Sequence, residues 1–76
     1  MNYIKIEDLI KIISKNTGIN ESLINENSQA TDFSKWDSIA HVKIMVELEN
    51  KIKKKISTSK MSELNSIPKI LKFIEM

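Results

Sequence analysis

The chain of 76 residues contains no cysteine, one glycine, one proline and one histidine. Without cysteine it has no disulfide framework, no thiolate ligand for a metal ion and no cysteine nucleophile. Its single histidine would leave a metal site to carboxylates, so a metal centre is not expected. One small hydrophobic core must therefore stabilise the fold without cross-links, and such a core contributes only about 3–5 kcal/mol.

Long apolar runs are also missing from the sequence. The longest is far shorter than the roughly 20 residues that a membrane-spanning helix needs. The N-terminus has no basic segment followed by an uninterrupted apolar block, which is the pattern of a secretory signal. We therefore expect a cytoplasmic, monomeric protein without membrane insertion, folded as one domain over residues 1–76.

The charged residues are segregated along the chain, and the net charge is +2. Residues 32–50 hold four acids and two lysines, whereas residues 51–60 hold five lysines and no acid. A basic run attracts phosphates, but selective nucleic-acid binding also needs base-stacking or base-edge groups. Because aromatic residues make up only 5% of the chain, we interpret the run as a solvated loop and expect no nucleic-acid binding.

Apolar residues recur at helical spacing in four segments. These segments predict helices over residues 5–16, 38–51, 60–64 and 66–74. Gly18 is expected to end the first helix, and Ser59 and Ser66 are expected to cap the third and fourth. Pro68 falls in a first turn, where its missing N–H needs no partner. The pattern predicts an all-α fold: a small antiparallel bundle of three main helices plus one short helix.

The same spacing selects the residues that should face the core. They are Ile6, Leu9, Ile10 and Ile13 in the first helix, Ile44, Met45, Leu48 and Ile52 along the second, and Ile67, Ile70, Leu71 and Ile74 in the last. The long connection over residues 19–35 is expected to contain a helical turn near residues 21–24. Leu23 or Ile24, and then Phe33, should pin this connection to the core.

The longest predicted helix begins where a polar loop ends, at Trp36-Asp37-Ser38-Ile39. Asp37 and Ser38 are both good N-cap residues, so the sequence leaves the cap open between them. Unpaired N–H groups and the positive end of the helix dipole favour an anion at such a position. A phosphate attached to Ser38 would be stabilised there.

A second apolar stripe runs along the same helix, formed by Ile39, Val42 and Val46 on a different side from the predicted core residues. A domain this small can hardly bury both sides of one helix. One of the two should therefore stay partly accessible to solvent and to partners.

Asp37-Ser38-Ile39 before an amphipathic helix, preceded by a loop holding Asp32 and Phe33, resembles the acyl carrier protein family. The resemblance spans the whole chain, including a turn over residues 61–64 and the closing helix over residues 66–74. Two features depart from the family pattern. The net charge is basic rather than acidic, and Ser34-Lys35-Trp36 stands where a glycine is usual.

The resemblance implies an acyl-carrier-protein-like bundle that is a carrier and not an enzyme. Ser38 would bear a 4'-phosphopantetheine arm taken from coenzyme A by a phosphopantetheinyl transferase, and Asp37 would help that enzyme and its metal ion to position the serine. The arm would hold an acyl or aminoacyl group as a thioester for loading and acyl-using enzymes. The residues implied in partner binding are Ile39, Val42, Val46, Glu47 and Glu49.

Carriers with this layout serve fatty acid, polyketide and peptide synthesis, D-alanine transfer and acylation of surface sugars. The basic net charge favours a specialised carrier over a general fatty acid carrier. The alternative function is a small helical module that binds a protein, or weakly binds nucleic acid, without a prosthetic group.

Three further side chains near Ser38 have simpler interpretations. Asp37, Ser38 and His41 could suggest a hydrolytic triad, but a triad is defined by geometry, and a small helical domain offers little room for an oxyanion hole. We expect His41 to be a packing or hydrogen-bonding residue. Trp36 is expected to anchor the loop at the edge of the core rather than to contact cargo.

Overall fold

The computed structural model describes residues 4–75 of the chain. Within these residues four α-helices form and no strand: α1 is Ile6–Thr17, α2 is Ser38–Ile52, α3 is Thr58–Glu63 and α4 is Ile67–Glu75. Two short 3-10 turns, Glu21–Leu23 and Ala30–Asp32, lie between α1 and α2. The principal extents of the molecule are 29 × 23 × 18 Å. The prediction of a small all-helical protein is confirmed for the described part of the chain.

Helix α1 begins and ends one residue later than predicted. Gly18 ends it in the left-handed conformation, at φ 81°, and its N–H donates to the Ser14 carbonyl over 2.8 Å, as expected of a glycine cap. The buried residues are Leu9, Ile12 and Ile13, whereas Ile6 and Ile10 are only half-buried. The core-facing side is thus rotated from the predicted one, because Ile12 packs inward.

Helix α2 packs against α1 and supplies much of the core. All four of its predicted core residues, Ile44, Met45, Leu48 and Ile52, are buried. Lys53 is the C-cap that follows the helix. It has a positive φ of 55° although it is not a glycine, and its N–H donates to the Glu49 carbonyl. Because one side of α2 is filled by the core, its opposite side is left towards solvent.

The long connection between α1 and α2 is fastened to the start of α4. The Ala30 N–H donates to the Asn65 carbonyl over 2.8 Å, and the Ile67 N–H donates to the Ser28 carbonyl over 2.9 Å. Ile24 is buried while Leu23 is exposed, and Phe33 is half-buried against the core. The expected turn and anchors are therefore present, with Ile24 rather than Leu23 pointing inward.

Helices α3 and α4 form as predicted but differ from the prediction in bounds, capping and core residues. Helix α3 begins earlier, and its cap is Ser57 rather than Ser59, because the Ser57 hydroxyl accepts from the Lys60 N–H over 3.2 Å. Ser66 caps α4 as predicted, accepting from the Lys69 N–H over 3.3 Å. Phe73, absent from the predicted core face of α4, is buried with Ile67 and Ile70, while Leu71 and Ile74 are half-buried.

Across residues 4–75, no helix has the length and apolar character needed to cross a bilayer. The same residues contain no group of three or more histidine, aspartate and glutamate side chains arranged to hold a metal ion.

Candidate functional site at the start of α2

Asp37 is the residue that caps α2. Its backbone is extended, its Oδ1 accepts from the Ala40 N–H over 2.9 Å, and its carbonyl accepts from the His41 N–H over 2.9 Å. The sequence left this role open between Asp37 and Ser38, and the structure assigns it to Asp37. Ser38 is consequently the first residue of the helix proper.

The Ser38 side chain is exposed and takes no part in holding the helix start. Within residues 4–75 its hydroxyl makes no hydrogen bond, and neither the Ser38 nor the Ile39 N–H has a partner. These two N–H groups lie at the positive end of the helix dipole. The site therefore combines a solvent-accessible hydroxyl with unpaired backbone donors, which suits a phosphorylated serine side chain.

Replacement of Asp37 by alanine is expected to lower the free energy of unfolding by about 1 kcal/mol, because the Ala40 N–H loses its acceptor. Asp37→Asn is the matched control, since its amide oxygen can accept the same hydrogen bond. Urea denaturation followed by circular dichroism measures both. An alanine variant as stable as the wild type would contradict the capping role.

Trp36 and His41 connect this helix start to α3. Trp36 is only 3% exposed, and its indole Nε1–H donates to His41 Nδ1 over 3.0 Å. His41 Nε2 lies 2.7 Å from the carbonyl oxygen of Met61. Trp36 as a loop anchor and His41 as a hydrogen-bonding residue are both confirmed. With both ring nitrogens engaged, His41 is not arranged to accept a proton from Ser38 as a triad requires.

The outer side of α2 presents the second apolar stripe to solvent. Ile39 is 70% exposed, Val42 53% and Val46 45%, so the prediction that one apolar side stays accessible is confirmed. Exposed Lys43 and Asn50 border these residues. We call Ile39, Val42 and Val46 the outer stripe of α2.

Glu47 and Glu49, which the resemblance implies in partner binding, are less accessible than this stripe. Both are half-buried and bound within the molecule. Glu47 accepts from the Asn16 side chain over 3.1 Å and lies 3.5 Å from the Lys15 ammonium, while Glu49 accepts from the Ile56 N–H over 2.7 Å. The two carboxylates join α2 to α1 and to the loop that follows α2.

A surface hollow of about 410 Å³ adjoins the segment that precedes Ser38. Ile19 and Leu23 line it from the start of the long connection, and Phe33, Ser34 and Lys35 line it from the end. Sequence reasoning did not identify this hollow, because it depends on how the two ends of the connection meet.

Comparisons of the chain with protein-family models, with curated proteins and with solved structures found no match.

Proposed function

We propose that this protein is a carrier whose Ser38 bears a 4'-phosphopantetheine arm, attached from coenzyme A by a phosphopantetheinyl transferase. The observation that carries the proposal is the Ser38 side chain: it is exposed at the first residue of α2, and the hydroxyl is not used in any hydrogen bond within residues 4–75. Asp37 performs the capping that would otherwise give this serine a structural purpose.

The residues around Ser38 suit a covalently attached phosphate. The Ser38 oxygen would form a P–O bond to the pantetheine-bearing phosphorus of coenzyme A while the pyrophosphate bond breaks, adenosine 3',5'-bisphosphate leaves, and a base of the transferase takes the serine proton. The Ser38 and Ile39 N–H groups, without partners in the described structure, would favour the phosphate charge at the helix N-terminus. When bound, the group supplies a flexible arm with a terminal thiol that holds an acyl or aminoacyl cargo as a thioester.

Asp37 has a second proposed role besides capping. Its Oδ1 is bound to the Ala40 N–H, but no hydrogen bond within residues 4–75 engages its Oδ2. A carboxylate oxygen beside the modified hydroxyl is a suitable ligand for the divalent cation of a transferase. Asp37 would thus hold the helix start and help to orient the incoming phosphate.

The outer stripe of α2 is proposed to dock partner enzymes. Ile39, Val42 and Val46 are apolar, exposed and on the same helix as Ser38, so an enzyme that reaches the serine can cover them. The resemblance also suggested Glu47 and Glu49, but their internal contacts leave them less available for docking. Lys43, exposed beside the stripe, and the net charge of +2 support a dedicated set of partners.

Val42→Asp is expected to lower kcat/KM for transferase modification by roughly tenfold, because a charge enters the apolar centre of the docking surface. The control is Leu23→Asp, which makes the same change at an exposed apolar residue outside α2. Initial rates measured by mass spectrometry give both values. Equal rates for the two variants would remove the outer stripe from the docking surface.

Mass spectrometry of the wild-type protein after incubation with coenzyme A and a broad-specificity transferase tests the proposed function. We expect one phosphopantetheine per chain, on the proteolytic fragment that contains Ser38. Absence of modification with several transferases would favour the alternative of a helical interaction module, for which the outer stripe would be the binding surface. Loading by different synthetases would then identify the cargo of a modified carrier.

A further inference from the structure

Two linked hydrogen bonds, from Trp36 to His41 and from His41 to Met61, have no role in the proposed carrier function so far. They join three parts of the fold: the end of the long connection, the first turn of α2, and α3. Both contacts have the short distances of well-formed hydrogen bonds, 3.0 Å and 2.7 Å. We call Trp36, His41 and the Met61 carbonyl the imidazole clamp.

The partners of His41 determine its protonation state in the clamp. An indole N–H can only donate, so His41 Nδ1 must be without a proton to accept from Trp36. A carbonyl oxygen can only accept, so His41 Nε2 must carry the proton shared with Met61. Only the neutral Nε2–H form makes both bonds. A proton added to Nδ1 would face the indole N–H and break the bond to Trp36.

The two side chains of the clamp flank the proposed modification site in the sequence. Ser38 lies between Trp36 and His41 in the chain, and the bond between those two side chains closes a ring that contains it. The backbone N–H of Trp36 donates to the Phe33 carbonyl over 3.2 Å, which fixes the segment just upstream. Asp37 restrains the helix start as its N-cap, whereas the clamp restrains it from α3.

We propose that His41 is a positioning residue: through its two hydrogen bonds it holds the segment bearing Ser38, by way of Trp36, against α3. The purpose, presentation of Ser38 to the transferase, rests on the proposed function. The clamp itself rests only on the two hydrogen bonds. Trp36 and His41 were expected from the sequence to be separate structural residues, and their joint action depends on Met61, twenty positions after His41.

Nuclear magnetic resonance of the unmodified protein tests the clamp without any transferase. Trp36 is the only tryptophan, so one indole N–H signal reports on it. At neutral pH we expect that signal to exchange slowly with water in the wild type and faster in His41→Ala, which loses both hydrogen bonds. The Ser38 and Ile39 amide signals should differ between the two proteins. An indole signal that exchanges equally fast in both, or Ser38 and Ile39 signals that do not change, would overturn the proposal.

Two conservative variants separate the halves of the clamp. His41→Asn keeps an acceptor near the Nδ1 position and should retain the slowly exchanging indole signal of the wild type. His41→Gln keeps a donor near the Nε2 position but loses the acceptor, and should show the faster exchange that is expected of His41→Ala. Circular dichroism checks that both are folded. The proposal fails if the two variants give the same indole signal.

The transferase assay distinguishes this inference from the proposed function. With folded variants at neutral pH we expect kcat/KM to fall about threefold or more for His41→Gln and to stay within about twofold of the wild type for His41→Asn. Equal modification of both would contradict the positioning role. If the wild type is not modified at all, the proposed function fails, and the magnetic resonance comparison of the wild type with the His41 variants alone decides whether the clamp exists.

Discussion

Substitution of Ser38 by alanine is expected to abolish phosphopantetheine addition while changing the free energy of unfolding by no more than about 0.5 kcal/mol. Modification requires the hydroxyl oxygen, and no other atom at this position can form the phosphoester. Stability should be unaffected because the hydroxyl is exposed and Asp37 supplies the cap. Intact-mass measurement reports the first result, and urea denaturation reports the second.

Ser34→Ala is the matched control for this experiment. Ser34 is also exposed and lies four residues upstream, in the loop rather than at the helix start. Its alanine variant should be modified as the wild type is. Modification that persists in Ser38→Ala would exclude Ser38 as the attachment site. A large loss of helicity in that variant would show instead that Ser38 is chiefly structural.

The Asp37 and Ser38 variants together distinguish the residue that stabilises this helix start from the residue that is modified. If the residues have the roles described, Asp37→Ala lowers stability by about 1 kcal/mol, whereas Ser38→Ala affects modification and not stability. From the sequence alone either residue could cap the helix, so either substitution could have been the destabilising one. The position of the Asp37 carboxylate assigns the two effects to different residues.

Leu48→Ala is expected to have the largest effect on stability, about 3 kcal/mol, because Leu48 is fully buried and its truncation leaves a cavity. A core of this size contributes only about 3–5 kcal/mol in total, so this variant should be largely unfolded at room temperature. Circular dichroism during thermal and urea denaturation measures the loss.

Val46→Ala is the companion to Leu48→Ala on the same helix. Val46 is 45% exposed on the outer stripe, so its truncation should change stability by no more than about 0.5 kcal/mol. If the two substitutions cost the same, α2 is not divided into a core side and an accessible side. The docking surface proposed for Ile39, Val42 and Val46 would then lose its structural basis.

Much of the helical framework was predictable because it depends on residues close together in the chain. The 3.6-residue period of apolar side chains located all four helices, to within one or two residues at most ends. It also separated Ile44 and Leu48, which are buried, from Ile39 and Val42, which are exposed. The cap at Gly18 followed from glycine's tolerance of positive φ.

The errors in core assignment arose at apolar residues that lie on the flanks of the buried side of a helix. The helical period could not show whether Ile10 or Ile12 of α1 is buried, or that Phe73 of α4 is buried. The surface that packs against each helix decides which of its flanking residues are covered. In the structure the Phe73 ring lies under the Lys54 and Lys60 ammonium groups, at 4.9 and 5.8 Å from its centroid. Those lysines come from other segments of the chain.

The sequence by itself determined a small all-helical protein with an apolar core side and an accessible apolar stripe on α2, because periodicity and capping act within a few residues. Only the tertiary structure decided that Glu49 binds the loop after α2, and that hydrogen bonds join Trp36, His41 and Met61. Such hydrogen bonds join groups from separate elements, and their distances are set only when those elements pack together.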